Sequence, residues 1–234
     1  MRKPEYIESA LVSINGVDET GKTTAIDLVL RDNPSKITMV PKITRFDPRW
    51  GQPSPHEGLI GQGDWNFRID NVQEFMDVTF HSIAKLISYV NQLSGPKIFM
   101  QDRGLMTIMS SYSACLRLKT GMSSADASGY IAAYGQKHNL NFTLPREDVS
   151  VLLRATDDLD KSVDFTIDRM RARDPSIEES FIKVYRKYQR LFNEELDVYY
   201  KAGRFTHTIS CTDPIPSVQN KVWQAILSNV RGCK

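Results

Sequence analysis

The stretch SINGVDETGKTTAIDLV, residues 13–29, is the most informative segment of this sequence. It continues an apolar run that begins at Ala10, turns at Gly16 and Gly21, and then enters residues that favour a helix. The turn fits the pattern G-x-x-x-x-G-K-[ST], in which backbone N–H groups cradle a phosphate at the positive end of the following helix. The stretch therefore predicts a buried strand, a phosphate-binding loop and a helix, in that order.

The residue types of this loop suit a bound nucleoside triphosphate. Glycines let the backbone curl so that several N–H groups face one anion. Lys22 can reach the β- and γ-phosphates, and the Thr23 hydroxyl can ligate Mg²⁺. A chance match is the alternative, but a loop between a buried strand and a helix is what phosphate binding requires. The residues that we predict to bind ATP are Gly16, Asp18, Thr20, Gly21, Lys22, Thr23 and Thr24.

The composition is that of an ordinary globular protein. The chain has 234 residues, 41% apolar and 25% charged, and a formal charge of +2, so neither nucleic acid nor a membrane is expected as a partner. Three cysteines, at 115, 211 and 233, lie far apart, which favours a reducing compartment over a disulfide framework or a zinc site. The start, MRKPEYIESA, lacks the apolar core of a signal peptide, and no apolar run is long enough to span a membrane. We therefore expect a cytoplasmic protein with a single domain over residues 1–234.

Short apolar strands alternate with helical patterns along the chain. The predicted strands contain the segments ALVSIN, KITMV, KIFMQD, VSVLLRA and FTHTIS. The predicted helices cover residues 22–30, 66–93, 123–136, 159–173, 177–201 and 217–230. A loop rich in proline and glycine, residues 41–63, has a length that is usually functional. The alternation predicts an α/β fold, a parallel sheet of about five strands with helices on both faces.

A second element supports a phosphate site. The strand KIFMQD ends in Asp102, and Arg103 follows it. An acid at the tip of a strand beside a phosphate loop can hold Mg²⁺ or its waters, and an arginine can bind a phosphate with two hydrogen bonds. The alternative is an ordinary ion pair at a strand end. Because the phosphate loop is present, we predict Thr23 and Asp102 as metal ligands, and Lys22 and Arg103 as catalytic residues.

Three arginines crowd the end of a predicted helix. Arg169, Arg171 and Arg173 lie within five residues, and the first and last of them share a helical face. Charges this close repel each other unless an anion lies between them, and Pro175 breaks the helix and provides a hinge. The pattern predicts a lid, over about residues 160–178, whose arginines close on a phosphoryl group and act in catalysis. The alternative is a solvated helix end that neighbouring aspartates screen.

Taken together, these motifs resemble the thymidylate kinase family of nucleoside monophosphate kinases. GVDETGKTT looks like the family's G-x-D-x-x-G-K-[ST]-T, and DRG stands where the family has an Asp-Arg-aromatic motif. RMRARDPSIEESFIKVYRKYQRL is similar to the family's lid and the helix after it, and TISCTDPIPSVQNKV resembles its last strand and closing helix. The order of elements agrees along nearly the whole chain. The resemblance implies the P-loop kinase fold, with ATP and Mg²⁺ as cofactors.

The resemblance also suggests a role for the acid inside the loop. In the family, an acid at the place of Asp18 contacts the sugar hydroxyl of the acceptor nucleotide. The alternative is a turn-forming aspartate that accepts hydrogen bonds from nearby backbone N–H groups. Some members carry a catalytic arginine at the place of Glu19, and others carry it in the lid. Because Glu19 cannot stabilise phosphoryl charge, this sequence resembles the lid-arginine type.

The acceptor half departs from the family pattern. Thr79 stands where the family has an arginine that grips the acceptor phosphate. Phe75 falls where the family stacks a phenylalanine on the base, although core packing explains it equally well. Ser111 and Tyr112 stand where the family has a Tyr-Gln pair, so Tyr112 is a candidate substrate-binding residue without its glutamine. Residues that could replace the missing grip are Arg103 together with Lys42, Arg45 or Arg49.

The leading hypothesis is an ATP-dependent nucleoside monophosphate kinase that phosphorylates dTMP or a related (deoxy)nucleotide. The first alternative is a deoxynucleoside kinase, a class that uses a carboxylate after the second strand; VPK stands there, with Asp47 nearby. The second alternative is a nucleotide-binding protein without turnover, which an intact Lys22, Thr23 and Asp102 disfavour. ATP and a small nucleotide or nucleoside acceptor are the expected partners. The family is commonly dimeric, and an apolar face on residues 66–93 permits a homodimer.

Overall fold

A five-stranded parallel sheet forms the centre of the molecule. The computed structural model describes residues 9–32, 35–51, 71–95 and 97–230. The strands are β1 (Ala10–Asn15), β2 (Ile37–Met39), β3 (Ile98–Asp102), β4 (Val149–Arg154) and β5 (His207–Ser210). Their order across the sheet is β2-β3-β1-β4-β5, and every neighbouring pair is parallel. The predicted α/β sheet of about five strands is confirmed.

Seven helices flank the sheet in the described residues. They are α1 (Lys22–Asp32), α2 (Val72–Val90), α3 (Leu105–Thr120), α4 (Ser124–His138), α5 (Leu159–Arg173), α6 (Glu179–Lys201) and α7 (Ile215–Asn229). Two short 3₁₀ turns, Ile43–Arg45 and Pro48–Gly51, follow β2. The sequence patterns predict all of these helices except α3. The first residues of the predicted 66–93 helix, most of the loop at 41–63 and Cys233 lie outside the described residues.

The core lies in two layers, one on each face of the sheet. On one face the apolar side chains of α1 and α7 pack on the alternate strand residues Val12, Ile14 and Val151. On the other face α2, α3, α5 and α6 pack around Leu11, Phe99 and Leu152. Because β1 is buried along its whole length, its two faces contribute to both layers. None of the helices in the described part of the chain is long and apolar enough to cross a membrane.

The parallel arrangement places the motifs at one edge of the sheet. β1 leads into the phosphate loop and β3 leads into the turn of Asp102 and Arg103. Since β1 and β3 are neighbours with Ile14 opposite Asp102, the two motifs lie side by side at the carboxyl ends of the strands. This edge is where open parallel sheets bind ligands.

Candidate phosphate-binding and phosphoryl-transfer site

The phosphate loop has a backbone that requires glycine at its first position. Gly16 has φ of 137° and Gly21 has φ of 83°, in the region that side chains rarely adopt. A Cβ at Gly16 would lie 2.5 Å from the carbonyl oxygen of Leu153 and 2.9 Å from Thr20 Oγ1. The Thr20 hydroxyl in turn donates to the carbonyl of Val17 at 2.9 Å, which closes the turn. The predicted loop is therefore a tight, internally bonded turn between β1 and α1.

Lys22 lies inside this turn and is almost fully buried. Its ammonium group donates to the carbonyl of Val17 at 2.5 Å and to Thr20 Oγ1 at 3.3 Å. Burial and the charge of Arg103 lower the pKa of Lys22 from 10.5 to about 8, and the carboxylate of Asp18 opposes that shift. A bound phosphate would replace the neutral partners with a charged one, so the loop holds a cation ready for an anion.

Thr23 and Asp102 meet as the metal-site prediction requires. Thr23 Oγ1 donates to Asp102 Oδ2 at 3.2 Å, from the exposed first turn of α1, where Thr24 also lies. The other carboxylate oxygen, Asp102 Oδ1, is buried and has no hydrogen-bond partner among the described residues. A hydroxyl and a carboxylate with one unsatisfied oxygen are oxygen ligands of the kind that Mg²⁺ prefers. The residues present therefore fit the ion.

Asp18 is bound by side chains from two other parts of the chain. One oxygen pairs with Arg103 Nη2 at 2.9 Å, and the other accepts from Tyr185 Oη at 3.0 Å and from Gln189 Nε2 at 2.9 Å. Burial would raise the pKa of Asp18, but Arg103, Lys22 and these hydrogen bonds hold that pKa below its ordinary value. The partners are side chains, so Asp18 holds the phosphate loop, β3 and α6 together. Its contact with an acceptor sugar stays a prediction.

Arg103 stands on a strained backbone. Its φ is 64°, which a residue other than glycine rarely adopts and which clusters at functional sites. The side chain is about half exposed, with 47% of its surface accessible, while it pairs with the buried Asp18. Arg103 therefore has an anchored guanidinium with a face still open to a ligand.

The three lid arginines point to three different partners. Arg173 Nη1 pairs with Glu19 Oε1 of the phosphate loop at 2.5 Å, and Arg171 Nη2 pairs with Glu179 of α6 at 2.5 Å. The guanidinium of Arg169 lies over the Phe165 ring, 5.4 Å from its centre. The structure therefore brings Arg173 to the phosphate loop and directs Arg171 away from it, and Arg169 lines a cavity beside the loop. α5 ends at Arg173, as the sequence pattern predicts.

A cavity of about 340 Å³ adjoins the phosphate loop on the α1 and α7 side. Its lining residues come from the loop, α1, α5 and the segment from β5 into α7: Thr20, Gly21, Ala25, Phe165, Arg169, Cys211, Thr212, Asp213, Pro214, Ile215 and Val218. The volume is within the range of small-ligand pockets. Thr20, Gly21 and Arg169 were predicted as site residues from sequence, and the other lining residues were not, because they are spread over nearly the whole chain.

The candidate acceptor residues are buried in the core. Phe75 has no exposed surface and packs at an angle on Phe80 and Tyr112, with Lys119 Nζ 5.4 Å from its ring centre. Tyr112 is also buried. The core-packing alternative therefore accounts for Phe75, and the roles of Phe75 and Tyr112 in substrate binding stay predictions. Thr79 is fully buried, and its hydroxyl has no partner among the described residues.

The basic residues after β2 differ in whether they form an ion pair with Asp47. Arg49 binds both oxygens of the buried Asp47, at 3.0 and 2.7 Å, so this arginine is committed to a structural pair. Lys42 and Arg45 are exposed. Arg49 is also exposed, but its guanidinium is bonded to Asp47, so Lys42 and Arg45 are the better candidates for a phosphate grip after β2.

Two site residues on α6 were not predicted from sequence. Tyr185 and Gln189 are four residues apart and share a helical face, and both point at Asp18. The sequence signal that could have identified Gln189 is its place on the apolar face of the helix, since a glutamine is seldom buried without a specific partner.

Similar structures exist for this fold, although nothing matches closely in sequence. No protein-family profile and no curated protein matches the chain. A deoxyadenosine kinase from M. mycoides with bound dATP is 14% identical, with a TM-score of 0.56 over 92% of this chain and 98% of that chain. The same enzyme with the products dCMP and dCDP is 15% identical, with a TM-score of 0.58 over 93% and 98%. A thymidylate kinase from Candida albicans is 16% identical, with a TM-score of 0.54 over 95% and 93%. At these identities the likeness shows the fold, which is that of the P-loop kinases.

Proposed function

We propose that this chain is an ATP-dependent nucleotide kinase that transfers the γ-phosphoryl group of ATP to dTMP or a related (deoxy)nucleotide. The observation that carries the proposal is the convergence at one sheet edge of the Lys22 loop, the Thr23–Asp102 pair and the Asp18–Arg103 pair. This set supplies a phosphate cradle, a metal site and a second cation. The fold shared with solved nucleotide and nucleoside kinases supports the same reading.

Each residue has a chemical task in such a transfer. Lys22 neutralises charge on the β- and γ-phosphates, and Arg103 holds the acceptor beside them. Thr23 and Asp102 would hold Mg²⁺, which neutralises developing phosphate charge when it is bound. Arg169 and Arg173 close over the transferred group and exclude water, which would otherwise hydrolyse ATP. The reaction needs no covalent intermediate with the protein, because the acceptor oxygen attacks the phosphorus in line.

The cavity beside the loop is suited to the donor nucleotide. Its wall combines Phe165, Arg169, Thr212 and Asp213 with the loop residue Gly21. Aromatic and guanidinium planes stack on nucleobases, and backbone groups can hydrogen-bond their edges. We therefore assign the ATP base to this side of the loop and the acceptor to the Asp18–Arg103 side.

A deoxynucleoside acceptor is the second candidate. The deoxyadenosine kinase structures share this fold over 92% and 93% of the chain, as the thymidylate kinase does over 95%, so the fold is compatible with either acceptor. The carboxylate that such a reaction could use as a base, Asp47, accepts hydrogen bonds from Nε and Nη2 of Arg49 in this structure. That engagement favours the monophosphate acceptor over the nucleoside.

The test is a coupled assay of ADP release with ATP, Mg²⁺ and a panel of nucleosides and nucleoside monophosphates. We expect turnover with at least one pyrimidine deoxynucleotide and little with free nucleosides. The matched control is Lys22→Met, checked by circular dichroism, which should lose about two to three orders of magnitude in rate. Turnover restricted to nucleosides would establish the second candidate. Absence of turnover with every acceptor, in a protein that binds ATP, would establish a nucleotide-binding protein without transfer.

A further inference from the structure

A set of buried polar side chains lies directly beneath the phosphate loop. Ser13 and Asn15 of β1, Ser150 of β4, Thr107 of α3 and Glu147, two residues before β4, form this set, which we call the sub-loop network. Four of its members are almost fully buried, and Glu147 is partly buried. Buried polar groups cost free energy unless they are hydrogen-bonded.

The hydrogen bonds of the network run in one direction. The backbone N–H of Gly16 donates to Thr107 Oγ1 at 3.2 Å, and the Thr107 hydroxyl donates to Asn15 Oδ1 at 2.9 Å. The amide of Asn15 donates to Ser13 Oγ at 2.7 Å and to Ser150 Oγ at 3.0 Å. Ser13 then donates to Glu147 Oε2 at 2.5 Å. Every proton therefore points from the first residue of the phosphate loop towards one carboxylate.

Glu147 also accepts hydrogen bonds at the start of α3, which follows the Asp102–Arg103 turn. Its carboxylate is hydrogen-bonded by the Ser150 side chain and by the backbone of Leu105, the first residue of α3. Burial raises the pKa of Glu147, and these hydrogen bonds oppose that shift. A carboxylate at a helix N-terminus is favoured by the helix dipole. One carboxylate thus terminates the bonds from both Gly16 and the start of α3.

The sub-loop network packs closely against the backbone of Gly104. A Cβ at Gly104, the residue after Arg103, would lie 2.6 Å from Ser13 Cβ and 2.6 Å from Asn15 Oδ1. The Asp102–Arg103 turn therefore rests directly on Ser13 and Asn15. A shift of either side chain would move the turn that carries the metal-site carboxylate and the half-exposed arginine.

We propose that Glu147 is a positioning residue that fixes the phosphate loop and the Asp102–Arg103 turn relative to each other. It touches no ligand group itself and acts through Ser13, Asn15 and Thr107. The inference rests on the proposed function insofar as the loop binds a nucleotide. It extends that function by naming what sets the spacing between the phosphate cradle and the turn opposite it.

A purely structural role at the start of β4 is the competing explanation, and the chain offers a matched control for it. The neighbouring Asp148 accepts from the backbone N–H of Leu11 at 2.8 Å, so it also ties β4 to β1 through a carboxylate. Asp148 is not part of the sub-loop network. Asp148→Asn should therefore report the cost of disturbing the strand start alone.

The experiment measures the dissociation constant of MgATP by titration calorimetry and the midpoint of thermal unfolding. It uses the full chain, two network variants and the control. Glu147→Gln places an amide donor among groups that all donate, and Thr107→Val removes the link at Gly16 while keeping the side-chain shape. We expect each network variant to weaken MgATP binding by about tenfold or more, as loss of an outer-shell partner does at other sites. Asp148→Asn should bind MgATP as the wild type does, whatever its unfolding midpoint.

The double variant Glu147→Gln/Thr107→Val tests continuity. If Glu147 and Thr107 act through one chain of hydrogen bonds, the double variant should bind MgATP no more weakly than whichever single variant binds it more weakly. The proposal would be overturned if the fold losses in MgATP affinity of the two single variants multiplied in the double variant. Wild-type MgATP affinity in Thr107→Val would also overturn it, even if Glu147→Gln failed to fold. So would an equal loss in Asp148→Asn. A wild-type chain that does not bind MgATP at all would instead overturn the proposed function, and this inference with it.

Discussion

Lys22 carries a burial cost that a bound anion would relieve. It is 5% exposed and bonds to neutral oxygens of the loop. Its pKa is about 8 in the folded state and 10.5 as the ordinary value. Between those values the unfolded chain holds more protons than the folded one, so the stability contributed by this site rises with pH across that window.

Lys22→Met should therefore stabilise the nucleotide-free protein while it removes activity. We expect a higher unfolding midpoint than that of the wild type near pH ~7, and a difference that shrinks as the pH rises to about 10. Scanning calorimetry at both pH values measures it. A wild type that is more stable than the variant at neutral pH would show that the ammonium gains more from the Val17 carbonyl than it loses by burial.

Gln101 offers a second test at a single residue. It lies on β3 opposite Ser13 and is 2% exposed, and neither its amide nitrogen nor its amide oxygen has a hydrogen-bond partner among the described residues. An orphaned buried polar group costs about 1–3 kcal/mol. Gln101→Met keeps the shape and removes the polar atoms, so we expect the free energy of unfolding to rise by about 1 kcal/mol.

Denaturant titration measures that change, and Gln189→Met is the matched control. Gln189 is equally buried, but its amide donates to Asp18, so its replacement should lower the free energy of unfolding. A Gln101→Met variant as destabilised as the control would mean that a buried water satisfies Gln101.

Prediction from sequence succeeds at this scale where the chemistry is local. The phosphate loop follows from eight consecutive residues, because glycine, lysine and threonine at fixed spacing meet one requirement. The partners of Asp18 could not be found in the same way. Tyr185 and Gln189 are 167 and 171 residues away in the chain, and only packing of α6 against the loop brings them to Asp18.

At the scale of elements, the strands were easier to predict than one of the helices. β1 and β4 are continuous apolar runs because both of their faces are buried, and turn residues mark their ends. α3 lacks the usual signal, because eleven of its sixteen residues are buried and serines and threonine lie among them. A helix that is covered on most of its surface has no clear apolar face, so its periodicity is lost.

Helix α5, the proposed lid, gives a prediction with its own control. Arg169 lines the cavity and Arg173 reaches the phosphate loop, whereas Arg171 pairs with Glu179 on α6. Arg169→Ala or Arg173→Ala should lower kcat far more than it raises the KM for ATP, because the contact strengthens as charge moves in the transition state. By analogy with an arginine finger in cis, the larger loss should be about a hundredfold or more.

Arg171→Ala is the matched variant on the same helix turn and should stay within a few-fold of the wild type. Steady-state kinetics on the three variants, with circular dichroism for folding, distinguishes them. Three equally active variants would show that the lid is not catalytic. A large loss in Arg171→Ala alone would mean that the lid rotates before it closes.

In the whole molecule, the sheet separates two parts of the proposed site. The α1 and α7 side carries the cavity for the proposed donor nucleotide, and the other side carries α3 and α6, which hold Asp18 and the turn after β3. The phosphate loop lies between them at the end of the central strand β1. The packing of α3 against α6 therefore decides whether the second half of the site is held in place.

A buried ion pair joins those two helices at a distance from the site. Arg117 of α3 binds Glu195 of α6 at 2.7 Å, and their side chains are 11% and 8% exposed. The Ser113 hydroxyl also donates to Glu195, and Arg117 has a second partner in Glu194 at 3.0 Å. Arg117 lies twelve residues after Leu105, about 18 Å along the helix, so its loss should act on stability and leave the chemistry of folded molecules unchanged.

Removing one member of this pair should cost more than removing both. Arg117→Met leaves the Glu195 carboxylate buried with only Ser113, which typically lowers the free energy of unfolding by about 3–5 kcal/mol. Glu195→Met should cost less, because Arg117 keeps Glu194. The double variant should recover most of the loss, since two apolar side chains can fill the same volume.

Arg190→Met on the exposed face of α6, where Arg190 pairs with Asp160, is the control and should cost about 1 kcal/mol or less. Denaturant unfolding of the four variants measures these free energies. If the losses in free energy of unfolding of the two single variants add in the double variant, Arg117 and Glu195 stabilise the fold independently.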